Sequence, residues 1–176
     1  MHAFVDESKV RGLVVACTIS DPSALVASRK AMQALRANGQ RRIHFTKESD
    51  PRRRKICSAI CDLDLEVRVY DTTTIRDQRQ GRRSALDAVV RDLARDGGSS
   101  LVIEQDDSLV DADRATLYAA VRRHDAADLS YRHERPTQEP LLWVSDAVVW
   151  CYVKGGDWRR RVEPVIDSVI QVSMFT

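Results

Sequence analysis

The chain begins with an apolar run that stops on acids, Ala3-Phe4-Val5-Asp6-Glu7-Ser8, and a second apolar run, residues 13–19, follows at once. Two such runs joined by a short polar link read as a β-hairpin, residues 2–8 against 11–19, turning near 8–11. A carboxylate on a strand that must bury itself costs free energy. An acid kept in such a place points to cation binding or proton transfer. The same conflict recurs twice: Glu104 follows Leu101-Val102-Ile103, and Asp146 sits inside the apolar stretch 141–153. Three acids set against their local pattern are the main functional signal of this sequence.

The rest of the chain alternates strand-like and helix-like patterns. Asp21-Pro22-Ser23 opens a helix expected to reach about residue 37. Arg41-Arg42-Ile43-His44-Phe45 is expected as a short third strand, and Ser49-Asp50-Pro51 opens a helix to about residue 61. Residues 63–70 alternate apolar and polar, the pattern of a strand with one wet face. Residues 76–83 are basic, contain Gly81 and are expected to begin as a loop. Helical spacing then runs from about 82 through Leu86, Val89, Val90 and Leu93 to the stop at Gly97-Gly98. A buried strand at 100–104 precedes a helix over 111–124, with Ala115, Leu117, Tyr118 and Val121 inward. An edge strand at 129–133, a helix over 139–153, a short basic turn or helix at 158–164 and a final helix or strand at 165–172 complete the chain. This order predicts an α/β fold: a mixed β-sheet with an N-terminal antiparallel hairpin and helices on both faces. No linker or repeat divides it, so residues 1–176 are expected to form a single domain.

Composition narrows the partners. A net charge of +2 gives no overall field that draws nucleic acid. The basic clusters 52–55, 82–83 and 159–161 are usually solvated helix faces, and the 76–83 loop is the best of them for nucleic-acid contact. No apolar run approaches the roughly 18 residues of a membrane span, and no signal-peptide pattern is present. Cys57 and Cys61 share a helix face but lack the second pair that a zinc site needs, and Cys17 and Cys151 sit singly in apolar runs. Free thiols without an export signal lead to the expectation of a cytoplasmic protein.

Along the first strand side chains alternate, so Phe4 and Asp6 share one face while Val5 and Glu7 share the other. Asp6 is therefore the expected centre, with Glu7 in support or in the turn. In the late helix Asp146 lies on one stripe with Leu142, Trp143 and Trp150, the stripe that must pack on the sheet. Glu104 closes a strand expected beside the first. Carboxylates in this arrangement suit Mg²⁺ or Mn²⁺, and two such ions about 3.5–4 Å apart can cleave a phosphodiester. Asp106 and Asp107 follow Glu104, and Asp106 is the better further ligand because it shares the face of Glu104. His44, at the end of the expected third strand, is a candidate to position water or bind phosphate. His133 and Glu134 precede the late helix and are weaker candidates. No Gly-rich loop follows the first strand, which argues against a nucleotide-binding protein. An aspartyl phosphatase wants two Asp flanking one residue there, and Asp6-Glu7-Ser8 does not supply them.

The Asp6-Glu7 opening, the mid-chain strand ending in an acid and the late helical Asp146 resemble the RNase H-like domain-of-unknown-function family 3800. That family is marked by an Asp-Glu motif near its N-terminus and a late Gln-x-x-Asp motif. The resemblance spans residues 3 to about 153. It implies an RNase H-like fold and a metal site formed by Asp6, Glu104 and Asp146. It further implies a divalent-metal-dependent nuclease, a hydrolase of RNA or DNA. The sequence departs from the motif at Trp143, which stands where the Gln belongs. That departure keeps a second reading open: a catalytically inactive RNase H-like module that binds nucleic acid or a protein partner. A homodimer is also left open.

Overall fold

The computed structural model describes residues 1–174. Among them six strands form one sheet: β1 (His2–Ser8), β2 (Val14–Ser20), β3 (Glu66–Asp71), β4 (Ser100–Glu104), β5 (Ser130–Glu134) and β6 (Ile166–Gln171). Their order across the sheet is β5-β4-β1-β2-β3-β6. β2 is antiparallel to both β1 and β3, whereas the β1–β4, β4–β5 and β3–β6 pairs are parallel. The helices are α1 (Leu25–Ala34), α2 (Asp50–Cys61), α3 (Gln78–Asp96), α4 (Val110–Arg123), α5 (Leu141–Lys154) and α6 (Gly156–Val162). The expected mixed sheet, its N-terminal antiparallel hairpin and its two helical layers are all present.

Strand alternation sorts the core into two layers. Phe4, Val14, Ala16, Val67, Val69 and Val102 face a layer built from α1, α2, α5 and α6. Ala3, Val5, Val15, Cys17, Leu101 and Ile103 face α3 and α4. β2 is buried along its whole length, which is why Val14-Val15-Ala16-Cys17 shows no alternation. The β1–β2 turn is closed by Arg11 and Gly12 in left-handed conformation, φ 61° and 105°. α5 is apolar on nearly every side because it has the sheet beneath it and α1, α2 and α6 around it. No helix among the described residues is long and apolar enough to cross a membrane.

Three expectations need correction. The third strand at 41–45 does not form: the segment is irregular and ends in a 3₁₀ turn, Phe45–Lys47. Ile43 and Phe45 are fully buried, and that alternation imitated a strand. Side chains satisfy the Phe45 backbone instead: the Asp146 carboxylate accepts its N–H at 3.0 Å, and Arg53 Nε donates to its carbonyl at 3.0 Å. The 76–83 segment begins as a loop but is one only through Asp77. Asp77 accepts from the N–H groups of Arg79 and Gln80, and that cap starts α3 at Gln78. The buried stripe of α4 is Asp113, Leu117 and Ala120, while Tyr118 is exposed. The terminal segment left as helix or strand is the strand β6.

Gly81 explains how α3 seats so closely. A Cβ there would stand 2.7 Å from Thr72 Oγ1, which itself donates to the Leu13 carbonyl at 2.8 Å. Gly81→Ala is therefore expected to destabilise the protein by about 1–3 kcal/mol through overpacking. Helix propensity alone would make the same change favourable by up to ~1 kcal/mol. Urea melts measure the sign, and Thr72→Ala in the same chain is expected to recover part of the loss.

Candidate functional site

β1 and β4 run parallel at the sheet centre, with Val5 opposite Ile103. The next residues along them, Asp6 and Glu104, consequently lie side by side and act on one another by charge. α5 crosses the same face and brings Asp146 into their field. The register of α5 is set one residue earlier. Ser145 Oγ donates to the Phe4 carbonyl at 2.7 Å and lies 2.7 Å from Thr18 Oγ1, all of it buried. Asp6, Glu104 and Asp146, 140 positions apart at the extremes, thus form one acidic cluster.

Electrostatics mark the cluster as strained. Burial, then the charges of Glu104 and Asp146, hold the Asp6 carboxyl well above its ordinary range, against the opposing pull of Arg42. Burial also raises Asp146, opposed by the Phe45 N–H and by His44. The Arg42 guanidinium is 3.7 Å from Glu104 Oε1 and 3.9 Å from Asp146 Oδ2. A cleft of about 490 Å³ opens on the other side of Asp6 and Glu104, and Glu7, Arg82, Asp106 and Asp107 line it as well. Hard carboxylate oxygens fit a divalent cation in kind. Among the described residues no three His, Cys, Asp or Glu side chains are gathered so as to cage one.

The other candidates fall around this centre. Glu7 points to the opposite face of the sheet, where it pairs with Arg82 and, at 3.2 Å, with Lys9. Arg82 grips Asp113 bidentately at 2.7 and 2.9 Å, and His133 Nε2 lies 3.0 Å from the same carboxylate. This buried chain places His133 away from the acidic cluster. His44 precedes the 3₁₀ turn and acts on Asp146 by charge. Asp106 accepts from the N–H and hydroxyl of Ser108 and sits 3.9 Å from Lys9, at the cleft rim. Trp143 is buried and donates its indole N–H to the Pro136 carbonyl, so it anchors the loop before α5.

Arg82 and Asp113 carried a signal in the sequence: each lies on the buried stripe of its own helix, Arg82 with Leu86 and Val89, Asp113 with Leu117. Arg42 carried none beyond the charge that three clustered acids require. Much of the basic sequence serves the fold. Arg52 donates to Glu48 and the Leu35 carbonyl, Arg53 lies 4.4 Å over the Trp150 ring, and Arg159 donates twice to the Tyr152 carbonyl. Trp150 in turn meets Phe45 edge-on at 5.2 Å.

No family model matches the sequence and no curated protein does, so neither comparison shows membership in family 3800. Among solved structures the chain is similar to the RNase HII of the PCNA:RNase HII complex from Archaeoglobus fulgidus. Identity is 15%, the match covers 85% of this chain and 70% of that one, and the TM-score is 0.55. The fold is RNase H-like.

The raised Asp6 carboxyl has a consequence for stability. A carboxyl raised in the folded state binds its proton to higher pH there than in the unfolded chain. Stability therefore falls as pH rises from the ordinary Asp range through the raised value. Asp6→Asn removes that penalty. Relief of ~1 kcal/mol corresponds to a Tm gain of about 2–4 °C in a chain of this size. The gain is expected near neutral pH without added metal, and it should vanish below the ordinary Asp range. Thermal melts across pH test this, and a pH-independent difference would exclude the titration of Asp6 as its source.

Proposed function

We propose that this protein is a divalent-metal-dependent phosphodiester hydrolase acting on RNA or DNA, with Mg²⁺ or Mn²⁺ held by Asp6, Glu104 and Asp146. The observation that carries the reading is the meeting of three acids from β1, β4 and α5 on one face of an RNase H-like sheet. Metal bound there would supply Lewis-acid polarisation of a phosphoryl oxygen and offset charge on the leaving oxygen. Asp6 contributes the central carboxylate, and its Oδ1 is oriented by the Glu7 N–H at 2.7 Å. Glu104 faces the cleft through which a strand would approach. Asp146 is steadied by the Phe45 N–H, which leaves its second oxygen for a ligand. His44, which acts on Asp146 by charge, would orient water or a phosphate. Asp106, tied to Ser108, acts from the rim. The Asp6-Glu7 opening and Asp146 resemble the motifs of family 3800, with Trp143 as the departure.

Arg42 and Trp143 favour the second reading, an inactive module that binds nucleic acid or a protein partner. A guanidinium already rests on two of the three acids, and an indole replaces the motif amide.

Two measurements separate the readings. Mn²⁺ or Mg²⁺ is expected to raise the Tm of the wild type and to leave Asp6→Asn unmoved. Labelled RNA, DNA and hybrid strands are expected to be cut only with metal. Loss of one ligand forfeits several kcal/mol of charge stabilisation, so Asp6→Asn and Asp146→Asn should each slow cleavage by about 10²–10³-fold. Absence of both the metal shift and the cleavage would leave the binding module as the function.

A further inference from the structure

Arg42 is held less closely than the arginines that clamp acids with two bonds elsewhere in this protein. Arg82 clamps Asp113 with two bonds of 2.7 and 2.9 Å, and Arg29 clamps Glu139 with two of 3.1 and 2.8 Å. Those are fork-to-carboxylate pairs, strong and fixed in orientation. Arg42 has no such grip. Its distances to Glu104 and Asp146, 3.7 and 3.9 Å, exceed hydrogen-bond length, and it touches each acid with a different nitrogen. The hydrogen bond it does make, Nε to the neighbouring Ile43 carbonyl, is long at 3.4 Å. A quarter of its side chain is exposed, so a path to water is open. The backbone on its C-terminal side is fixed, because Ile43 and Phe45 are fully buried and the Phe45 N–H is bonded to Asp146. A side-chain swing alone is enough to move the guanidinium away.

We propose that Arg42 is the resident counter-ion of the acidic cluster, occupying the place of the divalent ion, so that guanidinium and metal exclude one another. The proposal rests on the reading of Asp6, Glu104 and Asp146 as metal ligands. It accounts for two observations together: three acids act on one another by charge, and a guanidinium lies between two of them without a hydrogen bond to either. A delocalised cation keeps the acids together at longer range than a metal, whose oxygen ligands lie at ~2–2.6 Å. Arg42 is a positioning residue in this scheme. It acts through the carboxylates and sets the concentration of metal at which they close.

Mutual exclusion is reciprocal by linkage, and such couplings amount to about 5–150-fold. Mn²⁺ binding is measured by calorimetry, with electron paramagnetic resonance of the free ion as a second readout, on wild type, Arg42→Gln and Arg42→Lys. Arg42→Gln is expected to bind Mn²⁺ tighter than wild type by about 5–150-fold, with Arg42→Lys between them. A second measurement uses the unaltered chain. Modification of Arg42 by an arginine-selective dicarbonyl, mapped by peptide mass, should become faster when Mn²⁺ is added, because the displaced guanidinium enters water. A merely structural Arg42 moves neither readout in this direction. If Mn²⁺ binds wild type and Arg42→Gln equally, or the variant more weakly, the counter-ion role is overturned and the metal site stands. Unchanged or slower modification with Mn²⁺ bound likewise overturns displacement. If no chain binds Mn²⁺, the metal reading itself falls and the present inference goes with it.

Discussion

The arrangement depends on one buried hydroxyl. Ser145 is the polar residue by which α5 engages the backbone of the sheet, through Phe4 on β1, with Thr18 on β2 beside it. Without such a bond an apolar helix can slide or rotate on an apolar sheet at little cost, since dispersion and burial have no direction. With it, the rotation of α5 is fixed at the position just before Asp146. Phe4 and Asp6 share a face of β1, so the bond that fixes the helix to Phe4 also sets the separation of Asp146 from Asp6. The hydroxyl–carbonyl bond contributes only on the order of 1 kcal/mol, and its weight lies in specifying one register out of several.

The two adjacent acids of β1 divide the protein into two electrostatic regimes. Asp6 faces the α5 layer, where charge is crowded and loosely balanced. Glu7 faces the α3–α4 layer, where Arg82, Asp113 and His133 form a closed chain of short bonds. Buried ion networks of that kind rarely add much stability, because desolvation offsets the Coulomb gain. Their effect here is geometric. They fix the α3 wall of the cleft while the opposite wall keeps a carboxylate cluster short of balance.

Much of this was legible in the sequence, for a physical reason. Asp6, Glu104 and Asp146 each break a hydrophobic pattern, and a break in a strong pattern is visible without a structure. The fold class followed from the same patterns, since strand and helix periods differ. The failures have separate causes. Ile43 and Phe45 alternate as a strand does, but the Phe45 backbone is satisfied by side chains, Arg53 on α2 and Asp146 on α5, the latter far outside any local window. The 76–83 segment looked like a loop because charge and a glycine outweighed the capping Asp77. Arg82 and Asp113 sit on buried stripes, but charge on an amphipathic helix reads as its solvent face. Arg42 was invisible, since its role exists only once three remote carboxylates have met.

The bond between Asp146 and the Phe45 amide ties the acidic cluster to an aromatic ring. Phe45 lies edge-on to Trp150, and Arg53 covers that indole. A carboxylate that turned toward a new charge would loosen its hold on that amide, which belongs to a residue in contact with an intrinsic fluorophore. Trp150 thus stands within two contacts of the Asp146 carboxylate.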